Sequence, residues 1–241
     1  MYFSVITPEE HLLRQAAHEL AQSPYAEHQW LWQFFPSSAD QVRDFVFRRH
    51  ELEQMPRFYV VSQRPPMAFS EAWQVQSRRY DPQLQAGQHL SFQLRANPVI
   101  TRKSADGKSR RHDVVMQAKK QLLAEHGHSQ EAKWKDWKDG SDKPLLYELV
   151  QEHCAAWLDG VAKRNGFEIA LTVNDEPQRK VQVDAYEQSK AGKRGHLIQF
   201  STVDFSGELL VTDPELFQQA LFNGLGHAKS FGCGLLLVRR P

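Results

Sequence analysis

The chain has 241 residues, 41% of them hydrophobic and 24% charged, with 30 basic against 29 acidic side chains for a net charge of +1. That length accommodates one large or two small globular units, two being expected, and the ordinary composition suggests neither a disordered nor a membrane class. No apolar run approaches the ~18 to 20 residues that span a bilayer, and residues 1–6 lack the basic start and long apolar stretch of a signal peptide, so a cytoplasmic protein without a membrane partner is expected.

Tyr2 to Ile6 reads as an opening strand. Thr7-Pro8-Glu9-Glu10 then supplies a cap, an early proline and an acidic first turn for a helix. The helical pattern restarts after Ser23-Pro24, placing Trp30, Leu31, Phe34 and Phe35 on one apolar stripe that Pro36 ends. Asp40 to Arg49 reads as a further helix. Arg57 to Ser62, Met67 to Val75 and His89 to Leu94 read as strands. Helices are expected again over Asp113 to Glu125 and Pro144 to Arg164, the second closed by Asn165-Gly166, with WKDWKDGSDK as a polar linker or insertion between them. Phe167 to Val173, Lys180 to Tyr186, Leu197 to Phe205 and Glu208 to Val211 alternate like strands. Asp213-Pro214 starts a last helix and Gly234 to Arg239 a last strand. The order fits an α+β protein of two tandem ferredoxin-like, RRM-like β-α-β-β-α-β units, divided as 1–96 and 97–241.

With so little net charge, affinity for a polyanion has to come from local clusters. Seven Lys/Arg lie between Arg102 and Lys120, among them Arg102, Lys103, Arg110 and Arg111. TRKSADGKSRR within that stretch is either a flexible loop whose charges serve solubility or a weak RNA contact. Lys190, Lys193 and Arg194 fall in SKAGKRGH between two candidate strands. There they either cap a hairpin that projects into an RNA groove or form a solvated charged loop. In NGLGHAKSFGCG, Gly224, Gly226, Gly232 and Gly234 surround Lys229 and Ser230. Amides, a hydroxyl and an ammonium would contact RNA phosphates there, or the run is a Gly-rich connector with a C-cap. It does not match a nucleotide-binding phosphate loop.

Tyr25 and His28 are three residues apart, which on a helix or tight turn puts phenol and imidazole on one face. Such a pair suits RNA cleavage by the 2′-hydroxyl, where a histidine can take or give the proton near neutrality. On spacing alone, a surface histidine beside a tyrosine packed on Trp32 is the better account. Glu125-His126-Gly127-His128 lacks the surrounding Cys or His of a metal site, and neither metal nor cofactor is expected. Trp134 and Trp137 would stack bases or, more commonly for an insertion, pack down onto their own unit. Cys154 and Cys233 are expected as buried thiols.

MYFS at the start, Tyr25-x-x-His28 ahead of WLWQFFP, FQLRANPV (92–99), FSGELLVTDPE (205–215) and GLGHAKSFGCGLL (224–236) occur in an order that resembles the CasE family of CRISPR RNA-processing endoribonucleases over nearly the whole chain. The resemblance implies two ferredoxin-like units and metal-independent cleavage at the base of a repeat hairpin, leaving a 2′,3′-cyclic phosphate and a 5′-hydroxyl. It also implies that the cut hairpin stays bound, and that the partners are the CRISPR repeat RNA and other Cascade subunits, with no DNA read directly. By position, His28 is similar to the family's catalytic histidine and Tyr25 to its neighbouring tyrosine. Gln33 stands where some members carry a basic residue, and Lys229, Arg194 or Lys193 are the candidates to replace that charge. Two other readings use the same residues or none of them: a hairpin-binding subunit that does not cut, and a protein scaffold without RNA.

Overall fold

The computed structural model describes residues 1–20, 24–36, 42–52, 55–103, 107–129, 131–138, 140, 142–193 and 196–241, and no side chains at 24–26, 190–193 and 196–198. The first strand, β1 (Tyr2–Pro8), leads through a 3-10 turn into the helices α1 (Leu13–Glu19) and α2 (Pro24–Trp32). Three strands follow: β2 (Phe45–Leu52), β3 (Met55–Ser62) and β4 (Trp73–Arg79). They form an antiparallel sheet in the order β2-β3-β1-β4, the ferredoxin-like order. Alternation along each strand sorts the side chains between two faces. Ile6, Phe45, Phe47, Phe58 and Val60 meet α2's Trp30 and Leu31, with Phe34 and Phe35 just past it, in one core. Trp30 sits at the centre, its ring 4.5 Å from that of Trp73 and 4.8 Å from that of Phe58.

The helix expected over Asp40 to Arg49 is instead the strand β2, residues 40 and 41 lying outside the described residues. Phe45, Val46, Phe47 and Arg48 are all buried, two on each face of the sheet. A strand buried on both sides loses its two-residue alternation, and its apolar run is then indistinguishable from helical spacing. The strand expected over Met67 to Val75 begins only at Trp73. Residues 63–72 run irregularly where the pattern would have its second helix, held by Met67 N–H to Phe34 O at 2.8 Å and by Glu19, which accepts from Ser70 Oγ and Trp73 Nε1.

The second sheet opens with β5 (His89–Ala96). Next come the hairpin strands β6 (Val99–Lys103) and β7 (Ser109–Asp113), the helices α3 (Val114–Glu125) and α4 (Leu146–Lys163), and the strands β8 (Phe167–Ile169), β9 (Val181–Lys193) and β10 (His196–Val211). Helix α5 (Pro214–Asn223) and β11 (Leu236–Arg239) close it. The order β11-β5-β10-β8 is again ferredoxin-like, with β9 on β10 beyond β8. The separate strands expected at Leu197 to Phe205 and Glu208 to Val211 are one. Gly207 lets the chain run through, since a Cβ there would lie 2.2 Å from Lys180 O. Pairing also decides where the units divide. β5 bonds to β10 and β11 and to no strand of the first sheet, so the passage between sheets falls at 80–88, ahead of the expected division at 96.

Helix ends follow their chemistry. Asp113 Oδ1 caps α3 by accepting from Met116 N–H at 2.7 Å, and Asp213 caps α5 from Glu215 and Leu216 N–H, with Pro214 in the first turn. Leu90, Phe92 and Leu94 pack with Cys154, Leu158, Phe217 and Leu221 in the second core. Between the units, Val46 and Val61 on the free face of the first sheet bury Leu235, flanked by Phe3, Tyr59 and Phe222. No helix among the described residues is long and apolar enough to cross a membrane.

Leu235 is 1% exposed at this seam. Leu235→Ala should therefore cost about 2–4 kcal/mol, read as a lower urea midpoint at unchanged slope. An unchanged midpoint would mean that the two sheets do not unfold together.

Candidate functional site

His28 lies on the half-buried face of α2, with its ring centroid 5.7 Å from Phe45 and 6.5 Å from Phe47, nearly parallel to the latter, and Trp32 edge-on at 6.2 Å. The wall holding it is therefore β2, reached through Phe47. The same Phe47 ring faces the Gly-rich segment from the second unit, where a Cβ at Gly232 would approach to 3.4 Å. The backbone of Gly232 has φ +75°, and a side chain there would be strained as well as crowded. Gly224 is closer still: a Cβ would lie 2.8 Å from Val46 Cγ2. Gly226 rests over the Trp157 ring, and Gly234 bonds back to Leu225 N–H and to Arg95 O. Gly224 and Gly232 thus seat the loop against the first unit, and Gly226 and Gly234 against the second. Lys229 and Ser230 sit in its one 3-10 turn, after Ala228, a non-glycine residue at φ +58°.

The basic stretch expected to be a flexible loop is a β-hairpin, residues 104–106 lying outside the described ones. Arg102 stands directly opposite Arg110, Thr101 opposite Arg111 and Lys103 opposite Ser109. Like charges across a ladder destabilise it unless an anion lies between them. The base of the hairpin is fixed: Trp157 Nε1 donates to Val99 O at 3.1 Å, Asn97 Nδ2 to Ser201 O at 2.7 Å, and Tyr186 OH to Asp113 Oδ1 at 3.1 Å. Burial, with the Asp113 carboxylate beside it, pushes the Tyr186 phenol up to about 12. Trp157 thus supports both the hairpin and Gly226. The second hairpin, β9 with β10, pairs Lys193 with His196, so Lys190 and Lys193 lie near its tip. The side chains of both lie outside the described residues, as does Arg194 entirely. The hairpin reaches the Gly-rich loop through Phe200, 4.5 Å from the Phe231 ring.

Electrostatics identifies two residues that sequence reading missed. The His227 imidazolium is disfavoured by burial and then by Arg111 and Lys229, and the Lys229 ammonium by burial and then by Arg43. Arg43 from the first unit, Arg111 from the hairpin and His227 with Lys229 from the loop thus share one positive field. Lys229 Nζ donates to Asn223 O at 2.8 Å. His227 had a visible signal, two residues before Lys229 in the Gly-rich run. Arg43, far away in sequence, had none.

The remaining candidates separate from this site. Tyr25 is in the first turn of α2, its side chain outside the described residues, and Gln33 is exposed just past the helix. The rings of His126 and His128 lie tilted against the buried Trp137 at 4.5 and 5.3 Å, and Trp134 lies near Lys143 and near Lys119 of α3, so the insertion packs down onto its own unit. Cys154 and Cys233 are buried, their thiols pushed up to about 12 by burial. Among the described residues no three His, Cys, Asp or Glu side chains are grouped to hold a metal ion.

Residues 1–240 match the family described as CRISPR associated protein. The chain belongs to that family. It is 30% identical over 217 residues to the CRISPR system Cascade subunit CasE of Escherichia coli strain K12, covering 88% of this chain and 89% of the relative. Its fold is similar to that of CRISPR endoribonuclease Cse3 bound to a 19 nt RNA, at a TM-score of 0.67 and 24% identity, covering 99% and 100% of the two chains. Thermus thermophilus Cse3, bound to an RNA representing a pre-cleavage complex, aligns at TM-score 0.64 and 24% identity over 99% and 98%. Cas6e from Escherichia coli strain K-12 aligns at 0.55 and 21% over the full length of both. Both units of this family member are thus ferredoxin-like.

The charge of Arg111 acts on His227 with a measurable sign. By NMR, His227 should titrate below the ordinary 6.5, and Arg111→Ala should raise its midpoint, because removing a nearby cation favours the imidazolium. A midpoint that does not move would separate the hairpin from the Gly-rich loop.

Proposed function

We propose that this protein is an endoribonuclease that cuts CRISPR precursor RNA at the base of its repeat hairpin, without metal, and then retains the product within a Cascade-type complex. The observation that carries the reading is the meeting of α2 and the Gly-rich loop at Phe47, in a chain related to CasE. His28 then stands where one unit ends and the basic elements of the other begin. The flanking hairpins, with Arg102, Lys103, Arg110 and Arg111 on one and Lys190, Lys193 and Arg194 on the other, suit an A-form stem gripped by its backbone.

In this reading the nucleophile comes from the RNA. A base removes the 2′-hydroxyl proton, O2′ bonds to the adjacent phosphorus, and the bond from phosphorus to O5′ breaks as that oxygen takes a proton. The ends are a 2′,3′-cyclic phosphate and a 5′-hydroxyl. His28 carries the proton at one end of this transfer, and Tyr25 orients the hydroxyl or the phosphate. Lys229, Lys193 and Arg194 are the cations available to meet the phosphorane charge that Gln33 cannot.

Proton transfer by one positioned side chain contributes ~10²- to 10⁴-fold in rate and little to ground-state affinity. His28→Ala should bind the repeat hairpin nearly as wild type does and cleave it at least about a hundredfold more slowly in single-turnover assays with chelator. Near-normal cleavage would remove His28 from the chemistry. A wild-type protein that binds without cutting would make it a hairpin-binding subunit, and one with no salt-dependent affinity a scaffold.

A further inference from the structure

At the seam between the units, one carboxylate holds a guanidinium from each. Asp204 on β10 stands directly opposite Arg95 of β5 in the ladder and accepts from it in a fork, Nε to Oδ1 at 3.0 Å and Nη2 to Oδ2 at 2.6 Å. Its Oδ1 also accepts from Arg48 Nη2 at 3.3 Å, across to β2 of the first unit. The side chains are 9% exposed at Arg48, 18% at Asp204 and 32% at Arg95, so water replaces little of this pairing. The β9 register shifts between Asp204 and Phe205, which leaves the carboxylate at an irregular point of the ladder. Beside the network a cleft of about 490 Å³ opens, lined by Glu27, Arg48, Arg49, Arg95, Asp204 and Gly232 among others. The units are not close-packed there.

Arg48 is the neighbour of Phe47 on β2. Whatever fixes Arg48 on one face of the strand fixes Phe47, and with it the ring of His28, on the other. We infer that Asp204 is a positioning residue: by clamping Arg48 to Arg95 it sets where the histidine-bearing helix stands against the Gly-rich loop. The inference rests on the proposed cleavage reaction for its consequence, not for its geometry. Displacements of about 1 Å remote from the chemistry can cost on the order of a hundredfold in rate. Affinity should move the other way, because removing a carboxylate from a surface that meets phosphates favours the polyanion.

Two measurements on Asp204→Asn test this. Spin labels on cysteines introduced at the exposed Gln33 and Glu168 report the distance between the units, the native thiols being buried. The distribution should be narrow in the otherwise wild-type protein and broader or shifted in the variant. Single-turnover cleavage at saturating hairpin should fall about thirty- to a hundredfold, with affinity unchanged or tighter, and Asp204→Glu should recover part of the rate. An unchanged distribution, or a changed one with wild-type rate, would overturn the inference. If Asp204→Asn does not fold, Arg48→Lys, which keeps the charge and shortens the reach of the Nη2 contact to Asp204, carries the same two readouts. Absence of cleavage by the wild-type protein would instead remove the proposed function, and the distance measurement would still decide the clamp.

Discussion

A β-strand presents alternate side chains to opposite faces, and β2 has an apolar or paired partner on both. Phe45 and Phe47 close the first core and hold the His28 ring, while Val46 buries Leu235 and Arg48 reaches Asp204. The candidate site depends on this double burial, because its two halves belong to different units. Movement of β2 toward either side would change the distance between α2 and the Gly-rich loop. Gly224 and Gly232 are the complementary condition on the other unit, where a Cβ would meet Val46 or Phe47.

The parts of the fold legible in sequence are those specified by local chemistry. Asp213-Pro214, Asn165-Gly166 and the apolar stripe of α4 mark helices whose caps and periods lie within a few residues of one another. What was not legible depends on partners distant in sequence. β2 read as a helix because both of its faces are covered by elements the local pattern does not contain. The allegiance of β5 to the second sheet is settled by β10, whose Val203 pairs with Ala96. The segment 63–72 carries no helix because Glu19, Phe34 and Glu9 hold its backbone and side chains from elsewhere.

The site divides in the same way. His28 and the Gly-rich run stand out as residues, and the family resemblance gave them weight that spacing did not. The connections between them, Phe47, Asp204 and Arg43, are ordinary residues in sequence. The ion pair of Arg48 with Asp204 spans 156 positions and that of Arg95 with Asp204 spans 109. Buried ion pairs of this kind are poor evidence for stability but can specify one arrangement over others. The hairpin carrying Arg102 and Arg110 was misread as a loop because its order comes from Trp157, Asn97 and Tyr186, which fasten its base.

In the proposed reaction the nucleophile belongs to the RNA, and the chain supplies geometry: the His28 ring on an aromatic wall, and cations on the elements around it. The most direct test is to identify the ends that the wild-type protein leaves on its repeat RNA in the presence of chelator. Attack by the 2′-hydroxyl predicts a 2′,3′-cyclic phosphate upstream, a 5′-hydroxyl downstream, and no cut when the nucleotide before the scissile bond is 2′-deoxy. A 3′-hydroxyl with a 5′-phosphate, or cleavage of the deoxy substrate, would contradict it.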